Sequence, residues 1–306
     1  MLLRRGNVET VTAVRRLRDA AVPLRGVPAS PVRLLTDADL PAVHAHLNAD
    51  PIACAVVQAR IEREGTLTPQ RLGAEMVGVD ALDGGLAACC YNGGNLVPIS
   101  GSAQDLQLIA HYLEQRPRNC TSIVGRDTLV SGLWQSLSHR WLRPRAIREV
   151  QPLLLTSVVP TLDIAAELRL AQHDDVEHYV TAAAAMFTEE LGVSPYRQAT
   201  RSAYRQRVEA LISARRALVI TDRRGVVFKA EMAAVTEQTC QIQGVWVRPK
   251  LRGQGIATAA MSGVLAHALQ LAPSASLYVN DFNSAACRLY ERLGMQQVAT
   301  ISTILL

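Results

Sequence analysis

The residues with the clearest chemical potential form a short loop rich in glycine, Arg252-Gly-Gln-Gly-Ile-Ala257. Glycines at positions 253 and 255 allow the backbone to curl without an obstructing Cβ, so several N–H groups can converge on one anion. A helix that begins at this loop adds the partial positive charge of its N-terminus to the same site. The loop therefore predicts a seat for a pyrophosphate group.

The elements around this loop fit that interpretation. A strand-like run ends at Val247, and apolar residues at i,i+4 spacing predict a helix from Ile256 to about Gln270. Arg248, Lys250 and Arg252 flank the turn, where they could pair with phosphate charge. The loop lacks the Lys-Ser/Thr of a nucleotide triphosphate P-loop, and it does not fit a dinucleotide fold. A tight turn without a ligand is the alternative.

Two motifs in this order resemble the GNAT (GCN5-related N-acetyltransferase) superfamily. Arg252-x-x-Gly255-x-Ala257, after a strand, is similar to the family's acetyl-CoA pyrophosphate motif. The run Asn283-Ser-Ala-Ala-Cys-Arg-Leu-Tyr290, after the strand-like segment 276–280, is similar to the family's next helix. The resemblance covers about residues 161–306, and the whole chain resembles actinobacterial two-domain members whose N-terminal domain has no assigned function.

The resemblance implies acetyl-CoA as co-substrate. It implies that Tyr290 protonates the leaving CoA thiolate and that Asn283 contacts the pantetheine arm. Seven residues separate the two, which is two helical turns, so both can face one groove. The alternatives are a core aromatic for Tyr290 and a plain N-cap for Asn283. The implied cofactor-binding residues are Val245, Trp246, Val247, Arg252, Gly253, Gln254, Gly255, Ile256, Ala257, Thr258 and Asn283.

The strand that ends at Val247 has a further role by this resemblance. It is expected to splay from its neighbour and to expose backbone groups to pantetheine. Amides near Val245, Trp246 and Val247 could then hold the thioester oxygen as it gains charge. The Trp246 side chain is expected to serve packing.

The general base is not fixed by the motifs. Histone-type members place a Glu on this strand about eleven residues before the loop, but counting back from Arg252 reaches Gln241, which cannot accept a proton. Glu231 on the preceding strand is the substitute that we predict, with a pKa raised by apolar neighbours. The alternatives are a solvated Glu or a charge partner in the neighbourhood of Lys229.

The acceptor side is represented by two acids at a helix end, Glu189 and Glu190, next to Gly192-Val-Ser-Pro195. The family lines its acceptor pocket with this region, so these acids could attract a cationic amine. A solvated helix end is the alternative. Because no covalent acetyl intermediate is required, direct attack in a ternary complex is the expected mechanism.

Composition excludes several other classes of protein. The chain has 306 residues, 49% of them hydrophobic and 19% charged, which is enough apolar material for two cores. Residues 1–30 carry six arginines against Glu9 and Asp19, so little of the net charge of +5 is left to form a nucleic-acid face. The six cysteines show no CxxC pair, and adjacent Cys89 and Cys90 read as buried side chains, with no metal expected. No apolar run approaches the ~20 residues of a membrane span.

The organisation that we predict is a flexible Arg-rich tail (1–30), an N-terminal αβ domain (31–155) and a GNAT domain (161–306). The fold class is α+β with a mixed sheet. The N-terminal domain is either a degenerate GNAT copy or an unrelated αβ domain, and it is expected not to bind acetyl-CoA.

The function that these patterns favour is an acetyl-CoA-dependent N-acetyltransferase that acts on a primary amine of a protein or small molecule. The alternative is a non-catalytic acyl-CoA sensor. A cytoplasmic location is expected, with neither nucleic acid nor membrane as partner, and a homodimer is left open.

Overall fold

The computed structural model describes residues 31–306 except residues 83, 142, 198 and 199. The predicted tail, residues 1–30, lies outside the described residues. Twelve strands of the described part of the chain form one mixed sheet with helices on it, which is the predicted fold class. The sheet order is β1-β2-β3-β4-β5-β12-β6-β11-β10-β9-β8-β7.

The N-terminal half contains six strands and five helices. In chain order they are β1 (Val32–Leu34), α1 (Leu40–Ala49), α2 (Ala55–Glu64), α3 (Pro69–Leu72), β2 (Glu75–Asp80), β3 (Leu86–Asn92), β4 (Asn95–Ser100), α4 (Ala103–Glu114), β5 (Ser122–Arg126), α5 (Asp127–Leu137) and β6 (Ala146–Thr156).

The C-terminal half repeats this order of elements without a counterpart of the one-turn α3. Its elements are β7 (Arg169–Leu170), α6 (Val176–Leu191), α7 (Arg201–Ser213), β8 (Ala217–Asp222), β9 (Gly225–Val235), β10 (Cys240–Val247), α8 (Ile256–Leu271), β11 (Ala275–Tyr278), α9 (Ser284–Arg292) and β12 (Gln296–Leu305). The repeat supports the expectation that the N-terminal half is a second copy of the same fold.

The two halves exchange their last strands. β6 of the N-terminal half pairs with β11, with Leu153 opposite Tyr278, and β12 of the C-terminal half pairs with β5, with Thr303 opposite Val124. β6 and β12 also pair with each other along most of their lengths. The predicted domain limits, 31–155 and 161–306, stay a prediction, because the part of the sheet that each half forms is continued by a strand of the other half.

The hydrophobic core of each half also contains a residue from the exchanged strand of the other half. Leu154 of β6 packs in the core beneath α8, among residues of the C-terminal half such as Leu277. Ile304 of β12 packs in the core beneath α4 and α5, together with Leu96 and Ile123 of the N-terminal half. Burial of these apolar side chains in the other half's core couples the folding of the two halves.

Of the local expectations, the one for the cysteines is confirmed, and two strand limits differ. The six cysteines are unpaired, and Cys89 and Cys90 are fully buried in β3. The apolar pattern of residues 153–159 favours a strand there, but β6 begins earlier, at Ala146, and ends at Thr156. The pattern of residues 167–170 also favours a strand, of which only the two residues of β7 form.

Candidate active site

The glycine loop leads from β10 into α8 as the sequence predicts. After a short 3-10 turn over Pro249–Leu251, the helix begins at Ile256 with Gly255 at the N-cap position. Within the described part of the chain, five successive amides, from Gly253 to Ala257, have no hydrogen-bond acceptor, whereas the Thr258 amide donates to the carbonyl of Gly255. Consecutive free amides at a helix N-terminus are suited to binding a phosphate group.

The two glycines of this loop adopt backbone conformations that other residues avoid. Gly253 has φ +77° and Gly255 has φ +80°, both in the left-handed region. A Cβ at either position would meet no atom within 4 Å, so space is not what requires glycine. The requirement comes from the backbone conformation itself, which presents the amides on one side of the turn.

The flanking basic residues differ in availability. The Arg248 guanidinium donates to Asp222 at 2.8 and 2.9 Å and to the carbonyls of Gly225 and Val226, so the expectation that it pairs with phosphate is wrong: it holds the β8–β9 turn. Arg252 forms an ion pair with Glu189 at 2.6 Å across the mouth of the cleft. Lys250 is exposed next to the loop.

A cleft opens where β10 and β11 separate. The two parallel strands pair only at Cys240 with Ala275 and at Gln241 with Ser276, and they diverge beyond these residues. The resulting cleft has a volume of about 1160 Å³ and is lined by the glycine loop, the end of β10 and the first turns of α9. The expected splaying of β10 from its neighbour is therefore present, which leaves backbone groups of both strands available to a ligand.

A β-bulge shapes the wall of this cleft on β10. The register with β9 passes from Gln243 opposite Glu231 to Trp246 opposite Lys229, so Gly244 and Val245 have no partner residue on β9. Gly244 has φ +63°, and its carbonyl accepts a hydrogen bond from Lys229 Nζ at 3.0 Å. Of the three amides predicted to hold the thioester oxygen, those of Trp246 and Val247 belong to residues paired with β9. The amide of Val245 is therefore the one that the bulge leaves for a ligand.

Trp246 has the packing role that the sequence predicts. Its side chain is buried in the core between α6 and α7. The indole Nε1 also donates to Glu189 Oε1 at 3.4 Å. Glu189 is thus occupied by Trp246 and Arg252, so it stabilises the junction of α6 with the loop, and the sequence-based idea that it attracts a substrate amine loses support.

Glu190 is differently placed. It keeps exposed surface in the cleft, yet the surrounding walls desolvate its carboxyl and raise its pKa. Its charge in turn contributes to raising the pKa values of Tyr278 and Tyr290. A carboxyl with a raised pKa beside the candidate acid residue is suited to proton exchange with an amine.

Tyr290 lies at the inner end of the cleft on α9, and it is 5% exposed. Burial raises the pKa of its phenol, with a smaller contribution from the charge of Glu190, so the hydroxyl stays protonated at neutral pH. Asn283 forms the N-cap of α9, its Oδ1 accepting from the Ala286 amide at 3.3 Å. The N-cap alternative for Asn283 is therefore present, and its side-chain amide group remains able to donate.

Glu231 is buried beneath the cleft in a network of polar side chains. Its Oε1 accepts from Lys229 Nζ at 2.7 Å and from the Tyr179 hydroxyl at 3.4 Å, and its Oε2 accepts from Gln243 Nε2 at 3.3 Å. Although burial pushes the pKa of Glu231 upward, the charge and hydrogen bond of Lys229 outweigh it, and the pKa is lowered. The predicted raised pKa is wrong, and the alternative of a partner near Lys229 is the observed one.

Gln241, reached by counting back from the loop, faces away from this chemistry. It is buried, and its Nε2 donates to the carbonyl of Ile52 in the N-terminal half at 3.3 Å. Gln243, two residues further along β10, is the residue that contacts Glu231.

The structure adds contacts that the sequence analysis did not identify. The direct ion pair of Lys229 with Glu231, which the sequence analysis gave only as an alternative, could have been preferred, because residues i and i+2 of a strand share a face. Three further residues could be identified only from the fold, because they are far apart in the sequence. Thr303 Oγ1 donates to Gln151 Oε1 at 2.6 Å, and Gln151 Nε2 donates to Asn280 Oδ1 at 2.9 Å. This chain of polar groups runs from the exchanged strands to the edge of the cleft.

The described residues contain no group of three or more His, Cys, Asp and Glu side chains arranged to hold a metal ion. Across the described ranges, no helix combines the length and apolar character needed to cross a membrane.

Comparison with known proteins agrees with this geometry. Residues 194–295 match the model of the acetyltransferase (GNAT) family, and residues 74–179 match that of a domain of unknown function (DUF4081). No curated protein matches the chain in sequence.

Solved structures match both halves together. A GNAT-family acetyltransferase from Colwellia psychrerythraea matches with TM-score 0.55 and 15% identity, over 90% of this chain and 98% of the other. A GCN5-related N-acetyltransferase from Sphaerobacter thermophilus matches with TM-score 0.54 and 17% identity, over 91% and 96%. A Drosophila protein solved as a structural-genomics target matches with TM-score 0.64 and 11% identity, over 90% and 99%.

At these identities the structures demonstrate a shared fold, and the family match carries the assignment. The predicted arrangement, a C-terminal GNAT fold preceded by an αβ domain, is confirmed, and of the two alternatives for that domain the GNAT-like copy is the one that the match over both halves supports. The family indicates acyl-CoA-dependent acetyl transfer. The chain therefore carries, at residues 194–295, a domain that belongs to the GNAT acetyltransferase family and follows a domain of unknown function.

Proposed function

We propose that this protein transfers the acetyl group of acetyl-CoA to a primary amine by direct attack in a ternary complex. The observation that carries this proposal is the run of free amides from Gly253 to Ala257 at the mouth of the cleft that ends at Tyr290. A diphosphate bound by the loop directs the pantetheine arm between β10 and β11, where the strands have separated.

The thioester then lies beside the bulge of β10. The amide of Val245, released from register with β9, donates to the carbonyl oxygen as it gains negative charge. Asn283 Nδ2 donates to the pantetheine arm from the first turn of α9, while its Oδ1 caps the helix. These contacts use binding energy to place the thioester carbon within reach of the amine.

Two proton transfers complete the reaction. The neutral amine attacks the thioester carbon, and the resulting N–H⁺ gives its proton to Glu190, whose raised pKa and cleft surface suit that role. The C–S bond then breaks, and Tyr290 donates its phenol proton to the CoA thiolate. The role of Glu231 as base stays a prediction. We assign the base to Glu190 instead, because both oxygens of Glu231 already accept hydrogen bonds.

Isothermal titration with acetyl-CoA, followed by a coupled assay of free CoA thiol over a panel of primary amines, tests the proposal. We expect saturable binding and acetylation of at least one amine class, with turnover reduced in Glu190→Gln more than in Glu231→Gln. Binding of acetyl-CoA without transfer to any amine would contradict the catalytic role and favour a sensor. A larger loss in Glu231→Gln would return the base to that residue.

A further inference from the structure

The cleft continues past the thioester position onto the strands that the two halves exchange. Its wall there is formed by side chains of β4, β5, β6 and β12, which we call the seam wall: Asn95, Ser122, Arg148, Gln151 and Thr303. Strand register places these residues together, since Thr303 is opposite Arg148 and Ser122 is opposite Asn95.

These side chains occupy the sheet face that α6 covers at one end. The alternate residues of the same strands, Leu96, Ile123 and Ile304, are buried against α4 and α5 on the opposite face. Side chains alternate along a strand, and the register shift that puts Gln151 opposite Ile301 and Arg148 opposite Thr303 lets these two β6 residues share a face. The residues of the seam wall therefore point to the α6 side. Arg148 confirms this orientation, since its Nη2 donates to the carbonyl of Glu190 at the end of α6 over 2.6 Å.

The charges facing this part of the cleft do not balance. Arg148 and Arg207 line it from opposite sides, on β6 and α7, and Arg145 lies next to the seam wall. Within the described part of the chain, neither Arg148 nor Arg207 has a carboxylate oxygen within 4.0 Å, whereas Arg145 Nε donates to the Leu306 oxygen at 3.1 Å. The charges of Arg148 and Arg207 nonetheless reach the neighbouring acids: Arg148 offsets part of the rise that burial causes in the pKa of Glu190, and Arg207 contributes to the lowered pKa of Glu231.

The neighbouring acids leave a positive excess. Glu231 is neutralised by Lys229 at 2.7 Å and Glu189 by Arg252 at 2.6 Å. Glu190 alone then faces the unpaired guanidiniums of Arg148 and Arg207 across the acceptor side of the cleft. Such a field repels a purely cationic amine and attracts a molecule that carries an anionic group.

Building on the acetyl transfer proposed above, we infer that the acceptor is an amine that also carries a carboxylate, bound with the carboxylate on Arg148 at the seam wall and the amine beside Glu190. Guanidinium groups bind carboxylates through paired, charge-assisted hydrogen bonds, which fix orientation as well as charge. Gln151 and Thr303, both buried, form the polar floor between these two ends. The N-terminal half thereby supplies the residue that selects the substrate.

The test uses the full chain and ω-aminocarboxylates of three to six carbons, each compared with its own carboxamide and with the diamine of the same length. Binding of each probe to the protein–CoA complex is measured by isothermal titration, and acetylation is measured as kcat/KM. We expect the carboxylate to exceed its carboxamide and diamine by at least about tenfold at the best length. The preference should disappear in Arg148→Gln, persist in Arg148→Lys, and turn toward diamines in Arg148→Glu.

Arg143, exposed on the segment leading to β6 and outside the cleft lining, provides the matched control. Arg143→Gln should keep the wild-type preference. Acetyl-CoA affinity, measured in every variant, separates the two proposals. Equal binding of carboxylates, carboxamides and diamines by a protein that binds acetyl-CoA would overturn the acceptor assignment alone, as would an unchanged preference in Arg148→Gln. Failure of acetyl-CoA to bind the wild-type protein would overturn the proposed function and this assignment with it.

Discussion

Lys229 Nζ lies 2.7 Å from Glu231 Oε1 on β9, where Lys229 is 0% exposed and Glu231 is 5% exposed. The same ammonium donates to the Gly244 carbonyl at the bulge of β10 and lies 5.2 Å from the centre of the Tyr179 ring. One buried cation therefore holds the carboxylate, the bulge and an α6 aromatic together. The bulge that presents Val245 to the cleft depends on this ion pair.

Removing one member of this pair should cost much more stability than removing both. Lys229→Met leaves a buried carboxylate without its cation, and we expect a loss of about 3–5 kcal/mol in the free energy of unfolding. The double variant Lys229→Met/Glu231→Met should recover most of that loss, because no uncompensated charge remains. Urea unfolding of the two variants and the wild type measures the difference.

The exposed pair Arg205–Glu177 gives the comparison for that experiment. Arg205→Met removes a charge that is already hydrated, so its unfolding midpoint should move far less. A double variant that is no more stable than Lys229→Met would show that the pair does not act through charge compensation.

The lowered pKa of Glu231 predicts how stability depends on pH. A carboxyl in an unfolded chain titrates near about 4.3, so the folded state with its lower pKa gains stability above that pH. This contribution is lost as pH falls through the folded-state pKa. The stability difference between wild type and Glu231→Gln should therefore be constant between pH 6 and 8, by the same linkage, and shrink in acid below about pH 4. Chemical denaturation across this range measures it, and a difference that widens in acid would contradict the prediction.

The local elements around the loop were predictable because their signals are local. Alternation, the break at Pro249 and the i,i+4 apolar spacing place β10 and the start of α8 where the structure has them. The contact of Arg252 with Glu189 spans 63 residues of sequence, and nothing in either segment indicates the other. Such ion pairs between residues far apart in the sequence determine which basic side chains next to the glycine loop are free to bind a phosphate.

The strand exchange was not predictable for the same reason. The first five residues of both β6 and β12 are exposed or half-buried, so neither strand carries the continuous apolar pattern of a central strand. The pairing of these strands depends on cores that need residues of both halves. Leu154 of β6 packs in the core of the C-terminal half, and Ile304 of β12 packs in that of the N-terminal half. The sign of the Glu231 pKa shift depended in the same way on knowing that Lys229 is buried with it.

Tyr290→Phe should lower kcat by about 10²-fold or more and leave the acetyl-CoA dissociation constant unchanged, because only proton donation to the thiolate is lost. The raised phenol pKa adds a pH signature: the donor stays protonated through the ordinary titration range of tyrosine, near about 10. The wild-type rate should show no alkaline decline from this group below that pH. Stopped assays of CoA release measure both quantities.

Tyr278→Phe provides the matched variant for that measurement, since Tyr278 lines the same cleft from β11. Its hydroxyl has no assigned proton transfer, so the loss in kcat should be much smaller. Equal losses in the two variants would contradict the assignment of Tyr290.

Gly255→Ala should weaken acetyl-CoA binding about tenfold or more. The expected cause is conformational: φ of +80° costs a residue with a Cβ about 1–2 kcal/mol, and relaxation of the turn turns its amides away from the diphosphate. Gly65→Ala is a close control, because Gly65 has φ +64°, an equally open surrounding and a position at the end of α2 outside the cleft lining. Titration calorimetry should show weakened binding only in Gly255→Ala, although both variants lose stability.

Fragments of the chain test the strand exchange. A fragment of residues 161–306 lacks β6, which pairs with β11 on one side and β12 on the other, and it also lacks Leu154 from the core beneath α8. We expect this fragment to unfold without a cooperative transition, because β11 and β12 cannot reach each other across the missing strand. A fragment of residues 146–306 keeps β6 and should unfold cooperatively, at a lower temperature than the full chain, since β12 still lacks β5. Thermal unfolding followed by circular dichroism distinguishes the fragments, and a cooperative transition in both would mean that the C-terminal half folds without the exchanged strand.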